Sequence, residues 1–432
     1  MAHLVNAISE DRFAQLSSKL AKLSFFLYVF FLFFRTSMPF QEEITRADDI
    51  VTSSLFNQLL FSSLYLIAII GLLSKRQVIF DFVKREKFLS LFLVWTFLTV
   101  FWSDYPTVSL KRWFRLLGMI IVFLSGLLHM ESTDEAVDYF KIVLSIYLPL
   151  TLLSILFVPG ATQWEFPAWR GLAPHKNMLG QFSLISLIIW TYAVREQSVK
   201  KKTVAILFLI LSLIFLVGSK STTSYFTFAL LVFVAGLVLS EKLLASPVKG
   251  LFSLIVVLSC LGIFFSILYL APDLLESLLG TFGKDSTFTG RTDLWESVFE
   301  LTKKRLFFGY GFGGFWVANS PMLEKIFAEQ MWFPNQSHLG YLDILTETGL
   351  VGFILFTSMV VYCFKNVLML KTTHLWKWFV IAALIMNLSE STLFKVSELT
   401  GDLFVLSYLA IHVEILNENN EFVASLFHVE NE

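Results

Sequence analysis

Apolar runs long enough to cross a lipid bilayer recur along this chain from one end to the other, and no other feature limits its fold so strongly. They cover residues 21–40, 55–73, 88–102, 113–129, 139–158, 178–194, 203–218, 222–239, 250–270, 348–366, 375–388 and 402–416. A helix needs roughly 20 apolar residues to span the hydrocarbon core, where a backbone must satisfy its own N–H and C=O groups. The pattern predicts an all-α fold: a polytopic transmembrane helical bundle of about 12 spans with one long extracytoplasmic loop containing short helices. Composition agrees, because only 16% of the 432 residues are charged, too few to cover a soluble domain of this length.

Lys and Arg set the orientation of such a bundle. Lys75, Arg76, Lys84, Arg85 and Lys87 crowd the second loop, and Arg195, Lys200, Lys201 and Lys202 the sixth; Lys242, Lys249, Lys365 and Lys371 continue the series. These even-numbered loops are expected in the cytoplasm, together with both termini. Charges of both signs precede the first apolar run and no small-residue cleavage site follows it, which reads as a retained span rather than a signal peptide. One membrane domain is expected over 1–416 and a short polar, acidic cytoplasmic tail over 417–432. Cys260 and Cys363 both lie inside apolar runs, where small core residues are expected rather than a disulfide or a zinc site. A net charge of −1 gives no sign of a nucleic-acid partner.

The outward loops differ in kind, and the ninth, about 271–347, is long. Within it "TDLWESVFELTKKR" places Leu294, Val298 and Leu301 at helical spacing, and a second short helix is expected around Met322–Gln330. Charge at a membrane edge is expensive and therefore informative. Lys111, Arg112, Arg115, Arg170, His175, Lys176, Lys220, Arg291 and His338 all fall in outward-facing segments. Positive charge there runs against the orientation rule, and holding an anion is one use for it; resting beside lipid phosphates is the plainer one. "WRGLAPHKNMLG" brings Arg170, His175 and Lys176 to the start of a helix, and "FTGRTDLWE" does the same for Arg291. A helix N-terminus offers unpaired N–H groups and a favourable dipole to an anion. The plainer reading of Arg291 is a surface arginine paired with Asp293.

Two further stretches narrow the chemistry. "GYGFGGFW" (Gly309 to Trp316) fits the spacing of a dinucleotide-binding loop, but it follows a helix in an outward loop rather than a strand, so tight turns between aromatics are the expected use. "NQSHLGYLDILTETGLVGFILF" carries His338 to the start of the tenth span, near the first turn of its helix, while Asp343 and Glu347 share another face. No second histidine stands at ligand spacing, so neither a metal nor any other cofactor is expected. His338 alone can serve as a base or a hydrogen-bond partner near neutral pH; a histidine merely satisfied at the interface is the alternative.

These stretches together resemble the O-antigen ligase family, which groups lipopolysaccharide O-antigen ligases with O-antigen and exopolysaccharide polymerases. Gly290-Arg291, "GYGFGG" and His338 leading into "LTETGLVG" follow the family's order within one loop, and "WRGLAPHKNMLG" looks most like the exopolysaccharide polymerase branch. The resemblance covers roughly Trp169 to Phe356. Lys220 departs from it, since many relatives carry arginine there, and so does Leu339, where ligases often have asparagine.

The resemblance implies an undecaprenyl-diphosphate-linked glycan as donor, handed to a glycan or lipid A–core acceptor on the outer face of the bacterial plasma (inner) membrane. Membrane lipids would surround the protein and a chain-length regulator could attend it. His338 and Arg291 would carry the catalysis, with Arg170, His175, Lys176, Lys220 and Arg291 around the diphosphate. Polymerase is the first reading of the function and ligase the second. A polysaccharide-lipid transporter is a third, which the charges at the membrane edge rather than mid-membrane disfavour.

Overall fold

The structure, a computed structural model, describes residues 2–34, 55–163, 168–243, 291–318, 320–330, 334–369, 375–395 and 398–429. The candidate span 250–270 with Cys260, the loop from 271 to Gly290, and Trp332 and Phe333 lie outside the described residues. The helices are α1 (Ala2–Phe34), α2 (Leu55–Leu73), α3 (Arg76–Arg85), α4 (Lys87–Leu98), α5 (Pro106–His129), α6 (Asp134–Phe157), α7 (Lys176–Ala193), α8 (Val199–Ser219) and α9 (Thr222–Leu243). After them come α10 (Arg291–Lys304), α11 (Pro321–Gln330), α12 (Gly340–Met369), α13 (Trp376–Met386) and α14 (Leu399–Val429). A two-residue hairpin, β1 (Thr162–Gln163) with β2 (Ala168–Trp169), shapes the approach to α7. α14 runs on through the polar stretch expected as a tail.

The all-α bundle is as expected, but about 12 spans is too many. Among the described residues six stretches are long and apolar enough to cross a membrane: Arg12–Phe34, Pro106–His129, Asp134–Phe157, Val199–Ser219, Gly340–Val367 and Leu399–Glu418. Counting α2 and α3 as one span, bent by 99°, makes seven. Runs 88–102, 222–239 and 375–388 hold only the shorter apolar helices Lys87–Trp102, Thr222–Val238 and Trp376–Met386. At 1.5 Å per residue, the 11 residues of α13 measure only about half the hydrocarbon thickness. Run 178–194 is long enough, but Lys176, Asn177 and Gln181 make its helix too polar. Apolar composition was read correctly there; helical length and polar first turns were not.

Leu399–Glu418 is buried almost throughout and forms the axis of the core, packed by α5, α7, α12 and α13. Val199–Ser219 stands at the periphery and exposes Leu207, Ile210 and Val217, as lipid-facing helices do.

Loop contacts sort the bundle into two ends. At one, Ser74 Oγ meets His129 Nε2 at 3.0 Å and Tyr192 donates to Asp134 at 3.0 Å. There too Lys141 pairs with Glu196 at 3.3 Å and Tyr408 donates to Glu86 at 2.8 Å. The Lys/Arg-rich segments 75–87 and 195–202 belong to this end. At the other end Arg305 pairs with Asp104 at 2.9 Å and the backbone N–H of Phe312 donates to Thr99 at 2.8 Å.

Candidate active site

Three loops converge on one carboxylate at that second end. Glu390, 5% exposed, lies in segment 387–395 between α13 and α14. Its Oε2 is 3.2 Å from His338 Nδ1 and accepts from Gln336 Nε2 at 3.4 Å. Its Oε1 is 3.8 Å from Arg291 Nη2 and accepts from Thr223 Oγ1 at 3.4 Å. Arg291, the first residue of α10, also donates through Nη1 to the carbonyl of Ser389. Burial alone would raise the Glu390 carboxyl. The His338 hydrogen bond and the nearby His338, Arg291 and His175 charges outweigh burial and hold it below the usual carboxylate range. Burial draws the Arg291 guanidinium down from its ordinary value, and the Glu390 charge opposes that.

The chain is strained where these loops meet. Lys220, His338 and Phe394 have φ of 48°, 55° and 58°, and they are the described non-glycine residues with positive φ. One sits in the α8–α9 turn, one before α12 and one in the Glu390 segment. Left-handed backbone costs an ordinary L-residue roughly 1–2 kcal/mol and persists where its surroundings over-determine it. Around His338 they do. The Ser337 N–H donates to Asp343 at 3.2 Å, and the Ser337 carbonyl accepts from Trp295 Nε1 at 2.9 Å. On the far side, the Gly340 N–H donates to the carbonyls of Asn387 (2.9 Å) and Glu390 (3.0 Å). Asp343 in turn holds Lys395 at 2.6 Å and Trp316 Nε1 at 2.9 Å.

The glycine-rich turn is structural, and its partner is the "TETG" stretch of α12. Gly349 breaks α12 with φ 68° and ψ −176°, which removes intrahelical partners from the residues around it. The loop after α10 supplies them instead. Tyr310 N–H donates to Thr346 O and Gly311 N–H to Glu347 O, each at 2.9 Å, while Leu350 N–H donates to Leu306 O at 2.8 Å. A Cβ on Gly309 would lie 2.5 Å from both Glu347 O and Gly349 N, and one on Gly349 would lie 2.3 Å from Phe307 O. Two glycines are required because two backbones touch. Glu347 Oε2 accepts from the Gly313 N–H at 2.9 Å, and Arg112 donates to the carbonyls of Gly313 and Trp316. Tyr310, Phe312, Phe315 and Trp316 are buried, so they pack the loop rather than line an open groove.

The site residues named from sequence divide accordingly. His338 and Arg291 meet through Glu390. His338 does not stand on the first turn of a helix, since α12 begins at Gly340, and Arg291 pairs with Glu390 rather than with Asp293. His175 caps α7, its Nδ1 accepting from Met178 N–H at 3.3 Å, and acts electrostatically on Glu390. Lys176 follows it, half-buried. Lys220 is exposed in the turn whose Thr223 reaches Glu390. Arg170 donates to the carbonyls of Gly160 and Pro174, bracing the loop that delivers His175. Glu390 escaped the sequence reading. Its signal was "SES" at Ser389 to Ser391, polar residues interrupting two apolar runs. Among the described residues no group of three or more His, Cys, Asp or Glu is arranged to hold a metal.

Residues 207–357 match the family model described as O-antigen ligase, a stretch containing Lys220, Arg291, the glycine-rich turn and His338. The chain is also similar to the exopolysaccharide production protein ExoQ of Rhizobium meliloti (strain 1021), 25% identical over 284 residues. That similarity covers 63% of this chain and 63% of the relative, so the chain spans less than two thirds of that relative's length. The matched stretch holds the glycine-rich turn with its "TETG" partner and brings His338 to the convergent loops, and over residues 207–357 this polytopic membrane chain is similar to the O-antigen ligase family.

Proposed function

We propose that the chain is a membrane glycosyltransferase that polymerises undecaprenyl-diphosphate-linked saccharide units on the outer face of the plasma membrane. The observation that carries this reading is the His338–Glu390–Arg291 cluster. A carboxylate 3.2 Å from Nδ1 favours the tautomer with the proton on Nδ1, which leaves the Nε2 lone pair as a base. The acceptor hydroxyl oxygen attacks the donor's anomeric carbon and its proton passes to Nε2. The bond from that carbon to the diphosphate oxygen breaks, and the lipid diphosphate leaves with the electron pair. An arginine has five N–H donors, so Arg291 keeps donors for the departing diphosphate beyond those directed at Ser389 and Glu390. Lys220, His175 and Lys176 flank the same loops and supply further positive charge, with Arg170 bracing behind them. Cations that neutralise the leaving group make transfer independent of divalent metal. Transfer to lipid A–core, the ligase reaction, uses the same chemistry with another acceptor; the similarity to an exopolysaccharide production protein favours polymerisation.

The test uses purified protein, the lipid-linked donor and excess chelator, with release of lipid diphosphate as the readout. Wild type should turn over. Arg291→Lys and Arg291→Ala should each lose roughly 30- to 1000-fold, because a point charge does not replace a planar fork. A fully active Arg291→Lys protein would reduce Arg291 to a generic charge, and activity restored by one particular metal would end the metal-free reading.

A further inference from the structure

α3 has a geometry that the transfer reaction does not use. It leaves α2 at 99°; with α2, 19 residues long and apolar, as the part of that bent pair that crosses the bilayer, α3 runs along the bilayer surface. Its 10 residues present three faces. Ile79 and Phe82 turn towards the protein, with Phe82 only 2% exposed. Phe80 (54% exposed) and Val83 (49%) form an uncovered apolar stripe. Gln77, Asp81 and Lys84 make a polar face beside that stripe, and Lys84 Nζ sits 4.0 Å from the centre of the Phe80 ring. Exposed Lys75, Arg76 and Lys87 bracket the helix. The acidic residues of the segment are Asp81 and Glu86, and Glu86 is buried against Tyr408.

An apolar stripe with cations at its rim fits a membrane surface: the rings enter the acyl boundary while lysine and arginine reach anionic headgroups. Water alone would leave Phe80 and Val83 unburied, and a free phosphate ion would satisfy only the cations. We propose that α3 is an interfacial helix that binds the headgroups of anionic phospholipids in the surrounding bilayer through Lys75, Arg76, Lys84 and Lys87, with Phe80 and Val83 inserted beside them. It lies at the end of the bundle opposite the Glu390 cluster. Glu86, which follows α3, contacts Tyr408 and His412 well along α14 from Leu399. The helix therefore anchors the depth of the bundle rather than the glycan.

The full chain, purified in mild detergent and offered phosphatidylglycerol or phosphatidylcholine, should retain phosphatidylglycerol preferentially when bound lipids are counted by native mass spectrometry. The fourfold variant Lys75→Gln, Arg76→Gln, Lys84→Gln and Lys87→Gln should lose that preference, at about fivefold per charge removed. Phosphatidylcholine retention should not change. If the fourfold variant does not fold, Lys84→Gln alone decides, with about a fivefold loss expected. Phosphatidylglycerol retained equally by wild type and variant would overturn the proposal. So would displacement of the lipid by millimolar inorganic phosphate, which would mark a phosphate pocket instead of a lipid-binding helix.

Discussion

His338 and Glu390 are 52 residues apart in sequence and 3.2 Å apart in space, so neither has its role alone. If Glu390 orients the imidazole and His338 takes the proton, the two substitutions separate. His338→Ala should lower turnover by roughly 100-fold or more while donor binding, carried by the cations, changes little. His338→Lys and His338→Arg should not rescue it, since neither is a neutral acceptor at pH 7. Collapse of donor binding with a normal single-turnover rate for bound donor would make His338 a phosphate ligand instead. Glu390→Gln keeps the shape and removes the charge, and a misoriented base costs about 10- to 100-fold in kcat. Its pH behaviour is a second readout. A carboxyl held below its usual range stabilises the fold fully above that range and loses the contribution as pH falls through the depressed value. Glu390→Gln should therefore lack that part of the acid-side loss of thermal stability, and an unchanged acid limb would show that the carboxylate is not coupled as described.

The clasp between the loop after α10 and the broken turn of α12 explains why two separate sequence motifs occur together. Gly309 and Gly349 let the backbones touch, and the N–H and C=O groups freed at the break find partners across the contact. Gly349→Ala would force a non-glycine residue into a region that costs of order 1–3 kcal/mol and press its Cβ onto Phe307 O. Thermal stability in detergent should fall, whereas Gly236→Ala in α9, with open space for a Cβ, should leave stability unchanged or raise it slightly, since glycine inside a helix costs about 0.5–1 kcal/mol relative to alanine. Equal stability of the two variants would mean that the clasp relaxes freely. The clasp also marks where the sequence was legible. Glycines, Arg291 and His338 announce themselves by type and local spacing, and so did α10 and α11, through Leu294, Val298 and Leu301 and through the run ending at Gln330. Glu390 and the pairing of Asp343 with Lys395 depend on contacts between distant segments, which no local period encodes. Helix length was misread as well: runs 88–102 and 375–388 carry enough apolar residues, but the helices within them are shorter than a span.

At the scale of the whole molecule, orientation does not rest on the number of spans. Lys75 to Lys87 and Arg195 to Lys202 gather at the end joined by the Ser74–His129 and Asp134–Tyr192 contacts, while Arg291, His338 and Glu390 occupy the other. Lys and Arg near span ends are retained on the cytoplasmic side, so the basic end should face the cytoplasm and the cluster the outside. The proposed chemistry needs that arrangement, because a lipid-linked donor keeps its tail in the bilayer and its diphosphate at headgroup depth. Lys22, midway along the first span, pairs with Glu135, and Glu414 near the end of the last accepts from Thr133. Those contacts turn the N-terminal part of α1 and the C-terminal part of α14 towards the basic end. A reporter fused near Lys201 should accordingly read as cytoplasmic and one fused near Thr302 as extracytoplasmic. With the two signals exchanged, the His338 cluster would face the nucleotide-rich side, and the outward transfer reaction would have to be abandoned even if every residue-level prediction held.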